Sequence, residues 1–301
     1  MNATWIDTVR FSLQRHLPSE HWSAQTRPGM HFLEVPTATL RVRIAGCGST
    51  PIVFVTDGLH VIEHYDTLFR LLSPYLRVVC FEAPGIGFSR PKRGFRFTLE
   101  EQVKTVVDLL STVALGPCVL AFSCAAVYVA LKVATEHPHL VEKLLLIQAP
   151  SWREEVQWVK RSIDPKRVLT TPVVGQVVLA IQNQSFVARQ WYRVALGTPE
   201  FMTTFLHPCQ QAFDHGASFC LSSLLQGLFS REEPQFSSPR HPALVLWGGS
   251  DRSHRHTDKY SILRSVPGAI TTAFATAGHF PELEEPQRFL ETLRDFDVMH
   301  G

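Results

Sequence analysis

Three residue types that can together activate a hydroxyl stand in order along the 301-residue chain: Ser123, Asp251 and His279. A neutral hydroxyl is a poor nucleophile, so it needs a histidine to take its proton and a carboxylate to hold the imidazole tautomer and stabilise the imidazolium. Ser123 lies in Ala121-Phe122-Ser123-Cys124-Ala125-Ala126, directly after the apolar run 118–122, with a small residue two positions to either side. A sharp strand-to-helix turn needs small neighbours, and such a turn holds the hydroxyl outward. Asp251 follows the run LVLWG 128 residues on, and His279 follows Gly278 28 residues later. Each has a plainer role when taken alone: Ser123 could cap the helix after it, Asp251 could serve its turn, and His279 could be a surface or satisfied core residue. Together, each at the carboxyl end of a different expected strand, they point to nucleophile, acid and base.

The elements that must position them follow from hydrophobic pattern. Residues 5–17 carry Trp5, Ile6, Val9, Leu13 and Leu17 at mostly helical spacing, and Pro18 stops the run. This helix is expected to pack on its own domain. Runs at 31–35 and 38–45 predict an antiparallel edge pair. From Pro51 apolar runs alternate with helical segments: strands at 51–56, 76–82, 118–122 and 141–150, helices near 62–73, 99–114 and 124–136. Continuous apolar strands between helices predict a parallel sheet covered on both faces. After Pro150 the alternation stops; residues 151–238 read as helices rich in Trp, Arg, Gln and Phe. It resumes with strands at 242–248 and 269–275 and helices near 256–265 and 285–297. The predicted organisation is one α/β core, 1–150 and 239–301, interrupted by a helical lid, 151–238, over the strand ends where ligands bind in open α/β sheets.

Composition narrows the alternatives. Hydrophobic residues at 45% and charged residues at 19% fit a folded globular chain. A formal charge of +2 with dispersed Lys and Arg does not make a nucleic-acid footprint. Neither a secretory leader nor a membrane-spanning run is read, so the expected location is cytoplasmic. The six cysteines form no CxxC pair, which predicts free thiols and no structural metal.

Around these residues the sequence resembles the α/β-hydrolase superfamily over roughly 30–298, in its lid-bearing esterase, lactonase and C–C hydrolase branch. AFSCA resembles the G-x-S-x-G nucleophile elbow with alanines for glycines. WGGSD is similar to the WGxxD acid loop, and AGHFPELEEP to the GHxxxxExP histidine loop. FEAPGIGFS resembles D-x-x-G-x-G-x-S with Glu82 in place of Asp. The resemblance implies a mostly parallel eight-stranded sheet, a Ser123–His279–Asp251 triad, and an oxyanion hole from the backbone N–H groups of Leu59 and Cys124. Asp57-Gly58-Leu59-His60 departs from the usual His-Gly. Asp57 either places negative charge near the oxyanion or turns away to hold its loop through backbone hydrogen bonds, and the second is the expectation. Asp57, Gly58 and His60 are candidates to line the pocket; His60 and His64 could also be ordinary polar loop or helix residues. The lid aromatics Trp152, Trp158, Phe186, Trp191, Tyr192 and Phe213 are expected mainly to pack, and Arg153 and Arg189 to offer positive charge. The implied activity is cofactor-free hydrolysis of an ester, thioester, lactone or activated C–C bond in a small to medium hydrophobic substrate. A lyase, cyclase or acyltransferase on the same triad, and a non-catalytic binding protein, compete with it.

Overall fold

The computed structural model describes residues 3–13, 27–113, 116–182, 184–229 and 233–299. Eight strands form the main sheet: β1 (Met30–Glu34), β2 (Ala38–Ala45), β3 (Pro51–Val55), β4 (Arg77–Phe81), β5 (Cys118–Ser123), β6 (Val141–Ile147), β7 (Ala243–Gly248) and β8 (Ile270–Phe274). Their order is β1-β2-β4-β3-β5-β6-β7-β8, and a two-residue strand, Arg90–Pro91, adds to β2. The pairings β1–β2 and β2–β4 are antiparallel and all later ones parallel.

The central parallel strands are mostly apolar because both faces are buried, whereas the edge strand β8 is largely exposed. Val53, Val79, Leu120 and Leu146 point to one face, where they meet the helices Leu99–Thr112 and Ala126–Glu136. Ile52, Val78, Val119 and Leu145 point to the other, against Asp66–Leu72 and Pro286–Asp295. Between β6 and β7 the chain makes five α-helices, Trp152–Trp158, Val174–Ile181, Gln184–Ala195, Phe201–Asp214 and Leu221–Leu228. A strand within it, Ser218–Phe219, pairs with Ile86–Gly87 outside the main sheet. A third apolar cluster joins this insertion to the sheet's loops through Tyr192 and Phe205 against Leu59, Val61 and Phe280.

Some expected elements differ. The helix expected near 256–265 is a series of turns with one 3-10 turn, Ser261–Arg264. Asp258 sets its start by accepting from Tyr260 N–H through Oδ1 and from Ser261 N–H through its carbonyl, and Pro267 follows closely. The helix near 62–73 begins as a 3-10 turn, Ile62–Tyr65. The first helix is described over Trp5–Leu13; its continuation to Leu17 and the stop at Pro18 lie outside the described residues. It packs on the insertion: Ser223 Oγ donates to Asp7 Oδ2 at 2.6 Å and Ala3 N–H to Gln226 Oε1 at 3.1 Å, while Trp5 is 61% exposed. Among the described residues no helix is long and apolar enough to cross a membrane.

Candidate active site

The acid and the histidine come from neighbouring strand ends. Asp251 follows β7 and His279 follows β8, and His279 Nδ1 meets Asp251 Oδ2 at 2.7 Å with both side chains buried. That carboxylate is saturated: Oδ2 also accepts from Gln148 Nε2 (2.7 Å), and Oδ1 from Ser253 N–H (2.8 Å). Burial works against the charge, but the His279 charge and these hydrogen bonds hold Asp251 at about 2. Gln148, the residue after β6, has a positive φ of 51° and receives Gly248 N–H on Oε1, so it ties β6, β7 and the acid together. The histidine loop is anchored by Glu284, whose carboxylate accepts from the N–H groups of Gly197, Gly278 and Phe280, and by His279 N–H donating to Ala195 O. Glu82 does similar work below: Oε1 accepts from Arg41 Nη1 and Ile62 N–H, Oε2 from Phe88 N–H.

The sharp turn after β5 falls one residue later than the sequence pattern suggests. β5 continues through Ser123, which pairs with Ile147, and Cys124 takes the left-handed conformation with φ 52°. A non-glycine residue there costs about 1–3 kcal/mol and persists only where its surroundings impose it. Here Cys124 N–H donates to Ile147 O, and Val127 N–H to Cys124 O. The thiol of Cys124 is thereby presented to His279: one donor atom each from Cys124, His279 and Asp57 lie within 4.8 Å of one another. Ser123 Oγ makes no hydrogen bond to His279, because Nδ1 is engaged by Asp251 and Nε2 has no hydrogen-bond partner. Ser123 instead lines a void of about 50 Å³ beside the main cavity. The chain therefore brings Asp251 and His279 together with Cys124 and not with Ser123.

Two further expectations shift as a result. Cys124 N–H is spent on the sheet, so it is not free to meet an oxyanion; the next N–H, at Ala125, and that of Leu59 have no acceptor and belong to residues lining the same cavity. Asp57 does not turn away. Its Oδ1 accepts Gly58 N–H, while Oδ2 faces His279 Nε2 at 3.4 Å and has no hydrogen bond.

A profile of the alpha/beta hydrolase family matches residues 48–292. The chain belongs to the alpha/beta hydrolase family. It is 25% identical over 299 residues to the dihydrolipoyllysine-residue acetyltransferase component of the acetoin cleaving system of Pseudomonas putida, covering 98% of this chain and 76% of that one. It is 23% identical to the uncharacterized hydrolase YugF of Bacillus subtilis, covering 81% and 96%. Among solved structures it resembles the enol-lactonase from Burkholderia xenovorans LB400, with a TM-score of 0.69 at 18% identity over 89% of this chain and all of that one.

In this alpha/beta hydrolase the cavity beside Cys124 holds about 390 Å³ and is largely apolar, with Gly58 in its wall and Asp57, Glu155, Ser162 and Gln190 as its polar lining. His60 is not part of it. Its ring is buried among His64, Tyr192, Phe205 and Phe280, neither nitrogen is hydrogen-bonded, and burial followed by the neighbouring His64 and His279 charges drives its basicity well below the usual value. A neutral imidazole packs as an aromatic plate between core and insertion. Trp158 and Trp191 line the cavity and lie against the His279 ring at 5.8 and 5.1 Å, whereas Trp152 packs on Tyr128 and Phe229, Tyr192 donates to Leu59 O, and Phe186 is exposed. Arg153 and Arg189 are exposed and do not line the cavity.

Glu155 was not singled out by sequence; beside Glu154 it looks like one more acid in a helix's first turn. It is wholly buried, its Oε1 accepts from the Cys124 thiol at 3.6 Å, and burial pushes its carboxyl up to about 8. Burial, then Asp57 and Glu155, also push the Cys124 thiol up, with His279 opposing them. Burial alone would lower His279, but the charge and hydrogen bond of Asp251, with Asp57 and Cys124 close to Nε2, raise it well above its ordinary value.

Proposed function

We propose that this alpha/beta hydrolase is an acyl hydrolase in which Cys124 is the nucleophile, His279 the acid–base and Asp251 the residue that orients it. The observation that carries the reading is the left-handed turn at Cys124, which faces the sulfur, and not Ser123 Oγ, toward the imidazole. The Cys124 thiol passes its proton to His279 Nε2, leaving a thiolate beside an imidazolium held by Asp251. The thiolate attacks the substrate carbonyl, and the N–H groups of Leu59 and Ala125 receive the oxyanion. His279 Nε2 then protonates the leaving group. In the second half water attacks the thioester, gives its proton to Nε2, and the thiolate departs.

The insertion serves as a lid, with Glu155, Trp158 and Trp191 forming the roof of the cavity. An apolar cavity of about 390 Å³ suits a small to medium hydrophobic acyl group. The substrate class is an ester, thioester, lactone or activated C–C compound of that size. Acyl transfer is the second reading, favoured by the thiol itself, since a thioester intermediate is readily intercepted by an amine or thiol. Intact-protein mass spectrometry after exposure to medium-chain aryl esters tests the assignment. A hydroxylamine-sensitive acyl adduct should form on wild type and Ser123→Ala and be absent from Cys124→Ala. An adduct lost in Ser123→Ala but kept in Cys124→Ala would return the role to serine.

A further inference from the structure

The loop after β3 supplies a donor that acyl transfer does not require. Asp57 Oδ2 and His279 Nε2 stand 3.4 Å apart, both buried and both without a hydrogen bond. Cys124 Sγ completes a trio within 4.8 Å. The three side chains follow β3, β5 and β8, so their spacing is fixed by the sheet and not by one pliable loop. A four-coordinate zinc ion, with arms of about 2.0–2.3 Å, separates its donors by about 3.3–3.7 Å. The Asp57–His279 pair already has that separation, and closing the sulfur onto it takes at most about 1.1–1.5 Å.

The surroundings also fit a metal. Asp251 on Nδ1 orients His279 as carboxylates orient metal-bound imidazoles. Gly58 N–H holds the other oxygen of Asp57. Asp57 and Cys124 line the large cavity, so a fourth position would open into it. Asp251, His254 and His279 are equally close together, but both oxygens of Asp251 are hydrogen-bonded and its contact with His279 uses Nδ1, which makes that trio structural.

We propose that Asp57, Cys124 and His279 bind a zinc-class divalent cation through Oδ2, Sγ and Nε2, with the fourth position left to water or a cavity ligand. Binding releases the thiol proton, and that of Nε2 when the ring is protonated, to solvent; no redox change is involved. The ion occupies the lone pairs that acylation uses, so it masks the nucleophile. That masking rests on the reading of Cys124 as nucleophile, whereas the binding does not.

The test is a Co²⁺ titration of the metal-free full chain followed by absorption. One equivalent should give a thiolate-to-cobalt band in the near ultraviolet and intense four-coordinate bands in the visible, both removed by Zn²⁺. The charge-transfer band should vanish in Cys124→Ala, persist in a variant of the exposed Cys47, and need about tenfold or more cobalt in Asp57→Asn. No saturable spectrum, or one that survives Cys124→Ala, overturns the site. Acylation of the same preparation in EDTA keeps the two readings apart. Acylation without cobalt binding rejects the metal site alone; cobalt binding without acylation rejects the nucleophile reading alone. Zinc that binds without slowing acylation rejects the masking.

Discussion

The acid loop after β7 and the loop after β3 each set a carboxylate against the same imidazole, and they hold it in opposite ways. Asp251 is enclosed, with both oxygens hydrogen-bonded and its charge secured at about 2. Asp57 is 15% exposed at its side chain and satisfies one oxygen from its own loop, leaving the other aimed at Nε2 with no hydrogen bond. A fully satisfied buried carboxylate fixes geometry; a half-satisfied one keeps free capacity for a proton or an ion. The difference predicts that neutralising the two acids has effects of different size and opposite sign on Cys124.

The largest effect belongs to Asp251→Asn. It preserves shape but removes the charge that stabilises the imidazolium and favours the wrong tautomer, so acyl turnover should fall by roughly 10³–10⁴. Steady-state kinetics with an aryl ester reads this directly, and a loss below about tenfold would mean that Asp251 is only a structural partner. Gln148→Leu should cost less, roughly 10–100-fold, because it leaves the ion pair and removes only the amide that aims the carboxylate. A far-ultraviolet circular dichroism spectrum matching wild type would assign that loss to aim and not to folding.

Asp57→Asn should move the other way. Its carboxylate is among the groups that push the Cys124 thiol up, so removing it makes the thiolate easier to form. Iodoacetamide alkylation of Cys124 should follow a limb that rises with pH, and in the variant that limb should shift to lower pH, giving severalfold faster labelling near neutrality. Slower labelling would make Asp57 a second orienting acid, and the contrast with Asp251 would collapse.

The sequence carries the acid and histidine loops well because their geometry is written in residue types. Gly248 and Gly278 pack so closely that a Cβ on Gly248 would lie 1.6 Å from Gly278 O, and Glu284 must be a carboxylate to collect three backbone N–H groups. Strand alternation and the helical insertion are similarly legible from hydrophobic pattern. The nucleophile turn is not, because Ser123 and Cys124 are adjacent and alanines at 121, 125 and 126 allow the turn at either residue. Only the length of the β5 ladder, which runs on to pair Ser123 with Ile147, chooses between them. Gln148 and Glu155 escape for another reason: each is an ordinary polar residue in a loop or first turn, and its role depends on which long-range neighbour it faces, as does the direction in which Asp57, singled out by its type, points.

Glu155 gives the smallest effect, one read in stability. Its carboxyl titrates at about 8 in the folded chain against an ordinary 4.5. Folding therefore retains a proton that the unfolded chain gives up above 4.5. The sign follows: this contribution is fully present below pH 4.5, declines as pH rises, and is lost through about pH 8. The whole span is worth about 4–5 kcal/mol as an upper bound. Glu155→Gln keeps the amide in the same place without the titration, so its Tm should fall less than that of wild type between pH 5 and pH 9, by roughly 5–10 °C. Glu282, also raised to about 8 by burial, is common to both proteins and cancels in the difference. Parallel Tm profiles would show that Glu155 reaches water in the folded chain, and the roof that it forms over Cys124 would then be an open one.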